Sequence, residues 1–210
     1  MRSRSRVFRS LPLIALSVSL ALAGVAWGQD WPSFRGPGAR GVADDQGLPV
    51  RWDVEQGENV RFRVPLPGLG HSSPVIAEGR IFLTSAVADR VADLRLGDTG
   101  GIDMAEDGEQ TWLVRALDKR TGEELWTTRV TTAEPRAGRH VKSSHANSTP
   151  ATDGRTLVAV LGSQGLFAFD AVSGEQRWQA DLGVLDPGLH GDPDSHWGCL
   201  LYTSPSPRDL

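Results

Sequence analysis

Cysteine is almost missing from the sequence, which contains only Cys199. A single cysteine cannot form an internal disulfide, so a small fold held together by disulfide bridges is excluded. A surplus of positive charge is missing too, because 22 Lys and Arg residues stand against 26 Asp and Glu residues, a net charge of −4. This balance argues against a nucleic-acid partner, whose phosphates require a basic protein surface.

Long apolar runs are missing after the first 28 residues. Before that point, arginines in residues 2–9 precede an apolar run at 11–26, and Ala26 and Gly28 supply the small residues that a signal peptidase reads. This layout is that of a secretory signal peptide, and the run is shorter than the roughly 20 residues of a spanning helix. We therefore expect residues 1–28 to be removed, a periplasmic or secreted mature protein, and no transmembrane segment after removal.

An internal repeat is the strongest positive signal in the sequence. Residues 116–126 and 168–178 both read Ala, apolar, Asp, two variable residues, Thr or Ser, Gly, Glu, two variable residues, Trp, at an offset of 52 residues. Each copy is typical of a β-hairpin. The Asp and the Thr or Ser side chains can accept hydrogen bonds from the amides of the turn, and the Gly can adopt a positive φ. The residues that we expect to build the turns and their packing are Ala116, Asp118, Thr121, Gly122 and Trp126, with Ala168, Asp170, Ser173, Gly174 and Trp178.

A second pair of matching segments lies upstream of each hairpin. Residues 72–75 precede a Gly-Arg pair at 79–80, and residues 148–151 precede a Gly-Arg pair at 154–155. Each pair reads as a strand opened by proline, a glycine turn and a second strand. A unit of four short strands is typical of a propeller blade. The sequence therefore predicts an all-β protein, a partial β-propeller of four-stranded antiparallel blades.

The remaining segments are placed around these units. We expect a lead-in at 29–58 and a partial propeller at 59–198. Residues 60–64 are expected to form a closing strand that carries Phe62 at the position equivalent to Trp126. The first unit also has an insertion around 88–110, rich in Gly, Asp and Glu. It is expected to be a solvated loop, with a partner-binding rim as the alternative.

Residues 199–210 break the pattern of the repeat. They contain the only Cys and the only Tyr of the chain. They also resemble the read-through translation of a transposon-based sequencing adapter. We therefore expect the native frame to continue differently after Gly198, residues 199–210 to be a non-native tail, and the chain to be a truncated part of a longer propeller. Cys199 then carries no redox or nucleophilic role.

The motif at 116–126 resembles the tryptophan-docking motif of pyrroloquinoline quinone (PQQ) dehydrogenase propellers. The opening at 31–37, Trp-Pro-Ser-Phe-Arg-Gly-Pro, is similar to the N-termini of exported bacterial proteins with PQQ-like repeats. The resemblance covers residues 30–198. It implies a propeller in which Trp126 and Trp178 each pack on the backbone of the next blade. It also implies one of two roles, because the family contains both quinoprotein dehydrogenases and the scaffold lipoprotein of outer-membrane assembly.

Between these roles, we expect an exported binding or scaffold module that binds a protein partner or another ligand, without a cofactor and without catalytic activity. The alternative is a fragment of a PQQ- and calcium-dependent dehydrogenase, although the family's adjacent cysteine pair is absent from this sequence. A third class, a glycan-binding rim, is disfavoured because residues 88–110 contain no aromatic residue.

Two histidine-containing segments are candidates for chemical sites. One is His190-Gly-Asp192-Pro-Asp194-Ser-His196, whose side chains could bind Zn²⁺ or Ca²⁺ but match no established ligand spacing. The other is the connection holding His140 and His145, where a nucleophile and base would need a third positioned group. We expect structural roles for both segments and assign no catalytic and no metal-binding residue.

Overall fold

The computed structural model describes residues 29–44, 47–90, 105 and 107–184. The expected signal peptide at 1–28, the His190–His196 segment and the expected tail at 199–210 lie outside the described residues. So does most of the insertion, residues 91–104 and 106.

Eight strands form two four-stranded antiparallel sheets, which we name blade 1 and blade 2. Blade 1 contains β1 (Val75–Ala77), β2 (Arg80–Ala88), β3 (Gln110–Asp118) and β4 (Glu124–Ala133). Blade 2 contains β5 (Ala151–Thr152), β6 (Thr156–Val160), β7 (Leu166–Asp170) and β8 (Gln176–Ala180). Two short 3₁₀ helices, Pro37–Ala39 and Gly162–Gln164, are the other regular elements of the described residues. The predicted all-β class and the four-stranded antiparallel units are confirmed.

The repeated motif occupies the same register in both blades. Ala116 of β3 faces Trp126 of β4, and Ala168 of β7 faces Trp178 of β8. In both hairpins the register shifts immediately after the alanine. A bulge of this kind re-aims the side chains beside it and increases the local twist. The identical irregularity explains why the tryptophan stands at one fixed position of each hairpin.

The hydrophobic core lies between the two blades. Fully buried side chains from both sheets meet there, and each such large side chain stabilises the fold by about 1.5–3 kcal/mol. The largest fully buried strand residues are Trp112, Phe82, Phe169, Leu157, Val75 and Val114, and Leu161 and Val141 are fully buried outside the strands. Because β3 contributes alternate residues to this core, the face of blade 1 that meets blade 2 follows the period of a strand.

The insertion continues the hairpin of β2 and β3. The ladder runs to Ala88 opposite Gln110, and one further bond joins Asp89 N–H to the Glu109 carbonyl at 3.0 Å. A long insertion is tolerated at such a site because closing a longer loop adds little entropic cost.

Two segments before blade 1 are the expected closing strand at 60–64 and the lead-in at 29–58. Residues 60–64 have no strand assignment, so the closing strand stays a prediction. Trp31, at the start of the lead-in, forms an antiparallel bridge with Ile76 of β1. The next carbonyl, that of Pro32, accepts a bond from Thr152 N–H of β5 at 2.9 Å. The lead-in therefore joins both blades, which the sequence did not indicate.

Candidate functional site

The turn of blade 1 is organised by one carboxylate. Asp118 Oδ1 accepts bonds from the N–H groups of Arg120 and Thr121, each at 2.8 Å. Gly122 has a φ of 77° and donates its N–H to the Asp118 carbonyl at 2.8 Å. The amide bonds from Thr121 and then Arg120 hold the pKa of Asp118 below its ordinary value. The turn is therefore a rigid backbone surface with a glycine at its tip.

Blade 2 repeats this turn with the equivalent residues. Asp170 Oδ1 accepts the N–H groups of Val172 at 2.8 Å and Ser173 at 2.9 Å. The amide of Ser173, followed by the Arg177 guanidinium, holds the pKa of Asp170 far below its usual range. Gly174 again closes the turn, with a φ of 75°.

Trp126 packs against the turn of blade 2. A Cβ atom placed on Gly174 would lie 2.5 Å from Cε3 of the Trp126 ring, so only glycine fits beneath the indole. The indole N–H points at the Ala171 carbonyl at 3.3 Å, and Thr128 Oγ donates to the Gly174 carbonyl at 2.6 Å. One aromatic ring and two hydrogen bonds thus join β4 to the β7–β8 turn.

The same arrangement occurs at the turn of blade 1, where a phenylalanine takes the place of the tryptophan. A Cβ atom on Gly122 would lie 2.6 Å from Cδ2 of Phe62 and 2.9 Å from Cγ2 of Val64. On the opposite side of the pair of blades, Trp178 is 46 % exposed. Phe62, Trp126 and Trp178 thus occupy three successive equivalent positions, two of them packed on a glycine turn.

A buried polar cluster joins the end of the insertion to the connection between the blades. Arg139 donates to both carboxylate oxygens of Asp107, at 2.6 Å and 2.9 Å. His145 Nε2 lies 2.8 Å from Asp107 Oδ2. The side chains of Arg139, Asp107 and His145 are 3 %, 7 % and 5 % exposed, so all three are shielded from solvent. We name these three residues the rim anchor.

The rim anchor is fastened to the core of the fold. Trp112 Nε1 donates to the His145 carbonyl at 2.9 Å, and the two rings meet edge-on with centroids 6.0 Å apart. Arg139 Nη1 donates to the Ser143 carbonyl at 2.8 Å. Because the carboxylate has bidentate pairing and a third partner, the cost of burying its charge is offset by charge-assisted bonds.

The chemistry of the rim anchor is that of a structural ion pair. Burial lowers the pKa of His145, the Asp107 carboxylate opposes this shift, and the Arg139 charge adds to it. The nearby Ser144 hydroxyl donates to Asn147 Oδ1 at 2.8 Å rather than to the imidazole. His140 Nδ1 accepts the Lys142 N–H at 3.1 Å. Within the part of the chain that the structure describes, the geometry therefore brings a carboxylate to His145 but aligns no nucleophile with it.

Sequence reasoning singled out His145 but missed Asp107 and Arg139. Asp107 lies among several acidic residues of the insertion, and Arg139 lies 32 positions away. No local spacing signals such a long-range pair, because its formation depends on how the connection folds back over β3.

Among the described residues, no three His, Cys, Asp or Glu side chains are grouped so as to hold a metal ion. Ca²⁺ takes six to eight oxygen ligands. Asp30, in the lead-in beside β1, accepts the Glu78 N–H at 3.1 Å and pairs with Lys119 at 3.8 Å.

An exposed apolar stripe runs along the lead-in. Alternate residues Leu48, Val50, Trp52 and Val54 are 73 %, 93 %, 67 % and 50 % exposed. Single exposed apolar residues are common, whereas a contiguous stripe is typical of an interaction surface. Within the described residues, no helix is both long and apolar enough to cross a membrane.

The two tryptophans predict a matched pair of stability changes. Trp126→Ala should lower the free energy of unfolding by about 3 kcal/mol, because it removes the ring that covers Gly174. Trp178→Ala should lower it by less than about 1 kcal/mol, because that ring is half exposed. Urea unfolding followed by circular dichroism measures both values. Equal losses would contradict the packing role of Trp126.

The two bidentate Arg–Asp pairs predict a second matched comparison. Asp107→Asn should destabilise the protein by about 3 kcal/mol, because it leaves Arg139 buried without its counter-charge. Asp181→Asn breaks the Arg136 pair, whose side chains are 36 % and 67 % exposed, and should destabilise the protein much less. Chemical denaturation at neutral pH gives both values, and a near-neutral Asp107→Asn would refute the rim anchor.

Burial of His145 predicts a pH dependence of stability. An unfolded histidine titrates near 6.5, whereas the folded group keeps its neutral form to lower pH. The unfolded state then binds more protons, so stability is complete above about pH 6.5 and declines as the pH falls through and below it. The lowered aspartate pKa values act only near and below 3.8. Urea midpoints measured from about pH 7.5 to pH 5 should fall, and His145→Gln should flatten the decline.

Comparison with known proteins bears on the repeat region. A family model described as outer membrane protein assembly factor BamB matches residues 113–195. No curated protein sequence matches the chain.

Several solved structures are similar to parts of the chain. A europium-containing methanol dehydrogenase aligns at 20 % identity and a TM-score of 0.31, covering 51 % of this chain and 14 % of that protein. BamB from Moraxella catarrhalis aligns at 17 % identity and a TM-score of 0.26, covering 58 % of this chain and 35 % of that protein. A quinohemoprotein alcohol dehydrogenase from Pseudomonas putida HK5 aligns at 16 % identity and a TM-score of 0.28, covering 62 % of this chain and 23 % of that protein.

The chain thus spans between 14 % and 35 % of the length of these solved structures. The match over residues 113–195 includes the hairpins of both blades and both copies of the duplicated motif. Over residues 113–195, the chain is therefore similar to the PQQ-like repeat family.

Proposed function

We propose that this chain forms part of an exported β-propeller that acts as a scaffold for a protein partner, in the periplasm or outside the cell. The observation that carries the proposal is the match of residues 113–195 to the outer membrane protein assembly factor model. A scaffold needs a rigid frame with an exposed binding surface, and the following features support both parts.

The rigid frame is the ring of blades, held by tryptophan docking. Trp126 on Gly174 and Phe62 on Gly122 are two copies of one contact. Trp178 occupies the equivalent position in β8, and its side chain is half exposed. We propose that it receives the glycine turn of a further blade, because stacked repeats bury their faces only against neighbours. Propellers close with four to eight such blades.

The apolar stripe at residues 48–54 supports a protein partner. All four side chains lie within residues 48–54, a segment with a bend at Val50 and a turn that begins at Val54. Aromatic and aliphatic side chains of this kind form the centres of protein interfaces. Val50, at 93 % exposure, is the most exposed of them.

The second candidate function is a PQQ- and calcium-dependent dehydrogenase. It is favoured by the resemblance of the 116–126 motif to that of the quinoprotein propellers. The family model that matches residues 113–195 is instead described as that of an outer membrane protein assembly factor. We therefore rank the scaffold role first and propose that the chain binds neither PQQ nor calcium.

Site-specific cross-linking in the source cells tests the scaffold role. A photo-reactive amino acid at Val50 should give a discrete adduct with another protein, identified by mass spectrometry. The same probe at Glu55, an exposed polar position nearby, serves as the matched control and should give much less of that adduct.

A second measurement separates the two functions. The purified chain, supplied with PQQ and Ca²⁺, should neither retain PQQ on dialysis nor reduce an electron-accepting dye in the presence of an alcohol. Retention of PQQ together with dye reduction, and no adduct from Val50, would overturn the scaffold proposal in favour of the dehydrogenase.

A further inference from the structure

The free edges of β1 and β5 are covered by the chain's own lead-in. β1 is the first strand of blade 1 and pairs with β2 along one edge only. On its other edge, Trp31 N–H donates to the Ile76 carbonyl at 2.7 Å, and Ile76 N–H donates back to the Trp31 carbonyl at 2.8 Å. Reciprocal bonds of this kind are those of a hydrogen-bonded antiparallel pair.

The same short segment reaches blade 2. Thr152 N–H, on the edge of β5 that β6 does not use, donates to the Pro32 carbonyl at 2.9 Å. At the other end, Asp30 Oδ2 accepts the Glu78 N–H from the β1–β2 turn. Trp31 and Pro32 therefore bond to the first strands of the two sheets and Asp30 to the β1–β2 turn. We name residues 30–32 the inner-edge clamp.

The conformation of the clamp is fixed by the turn that follows it. A Cβ atom on Gly36 would lie 2.5–2.7 Å from three atoms of the Trp31 ring, so the indole rests directly on the glycine backbone. Gly36 has φ 68° and ψ −157°, a region that is essentially restricted to glycine. Trp31 and Gly36 thus repeat within one segment the aromatic-on-glycine contact that joins the blades.

We propose that the inner-edge clamp fixes the two blades to each other along their inner edge and occupies space on the axis of the ring, which excludes a flat ligand such as PQQ there. This inference rests on the proposed ring, in which the first strands of the blades surround a central channel. The clamp satisfies backbone groups that would otherwise form an open sheet edge. A ligand at that level would have to displace three backbone hydrogen bonds.

Amide hydrogen exchange of the full chain tests the clamp directly. In the unmodified protein, the amides of Ile76 and Thr152 should exchange slowly, as should Ala86, whose N–H bonds the Leu69 carbonyl outside the clamp. Fast exchange at both Ile76 and Thr152 beside a protected Ala86 would overturn the proposal without any substitution.

Two glycine substitutions provide a matched comparison. Gly36→Ala should speed exchange at Ile76 and Thr152 by about tenfold or more, because the new methyl group collides with Trp31 and releases the turn. Gly38→Ala also carries a positive φ, 63°, but its Cβ would meet nothing nearer than 3.8 Å. It should change these rates less than about twofold, and Ala86 should be unaffected in both variants. Equal rates at Ile76 and Thr152 in the two variants would overturn the role of the clamp.

Exclusion of an axial ligand is tested with PQQ and Ca²⁺ as probes. Their addition should leave exchange at Ile76 and Thr152 unchanged, and a change at these two amides would overturn the exclusion. The result is independent of the scaffold role. Protected amides at Ile76 and Thr152 together with PQQ-dependent dye reduction would support the clamp and refute the scaffold function. Unprotected amides together with an adduct from Val50 would refute the clamp and support the scaffold function.

Discussion

The contact of an aromatic ring with a glycine turn is the constraint on which the arrangement of the blades depends. Trp126 can approach the backbone of blade 2 only because Gly174 has no side chain, and Gly174 can adopt its φ of 75° for the same reason. Asp170 then fixes the turn by accepting two amides. The carboxylate, the glycine and the ring therefore act as one unit, because the ring packs on a turn that the carboxylate and the glycine together form. The same unit, with Phe62 in place of tryptophan, recurs at Gly122.

This dependence explains why the repeat was readable from the sequence. The motif residues act over short sequence distances within the hairpin, so their order and spacing survive in each copy. Alternating apolar residues and glycine turns likewise predicted the four-stranded units. The rim anchor was not predictable in this way. Asp107 and Arg139 meet only after the connection between the blades folds across β3, and either residue alone reads as one more charged side chain of a loop. The inner-edge clamp was not predicted, because its bonds at Trp31 are between backbone groups and do not require a particular side chain.

The rim anchor and the clamp stabilise the pair of blades in different ways. The clamp satisfies open backbone groups at the free edges of β1 and β5, where no side-chain chemistry is needed. The rim anchor buries charge, and its net contribution depends on complete pairing, because an unpartnered buried arginine or carboxylate is strongly destabilising. It also links the base of the insertion to the core through Trp112. The position of a long loop is thereby fixed at its base by a contact that does not depend on the sequence of the loop itself.

The division between repeated and unrepeated residues bears on function. Residues that recur at an offset of 52 are used in turns, bulges and packing between blades, so they are committed to the frame. Under the proposed scaffold role, binding specificity would come from segments that occur once, among them the lead-in and the insertion. Both are joined to the frame by specific bonds, the lead-in at Ile76 and Thr152 and the insertion at Arg139. Of the two, the lead-in presents a stripe of exposed apolar residues, whereas the sequence of the insertion is acidic and rich in glycine. Apolar stripes gain free energy by being covered, and acidic surfaces act mainly by steering a partner and by excluding wrong ones. A partner of the proposed scaffold that uses both would be held by the lead-in and selected by the insertion.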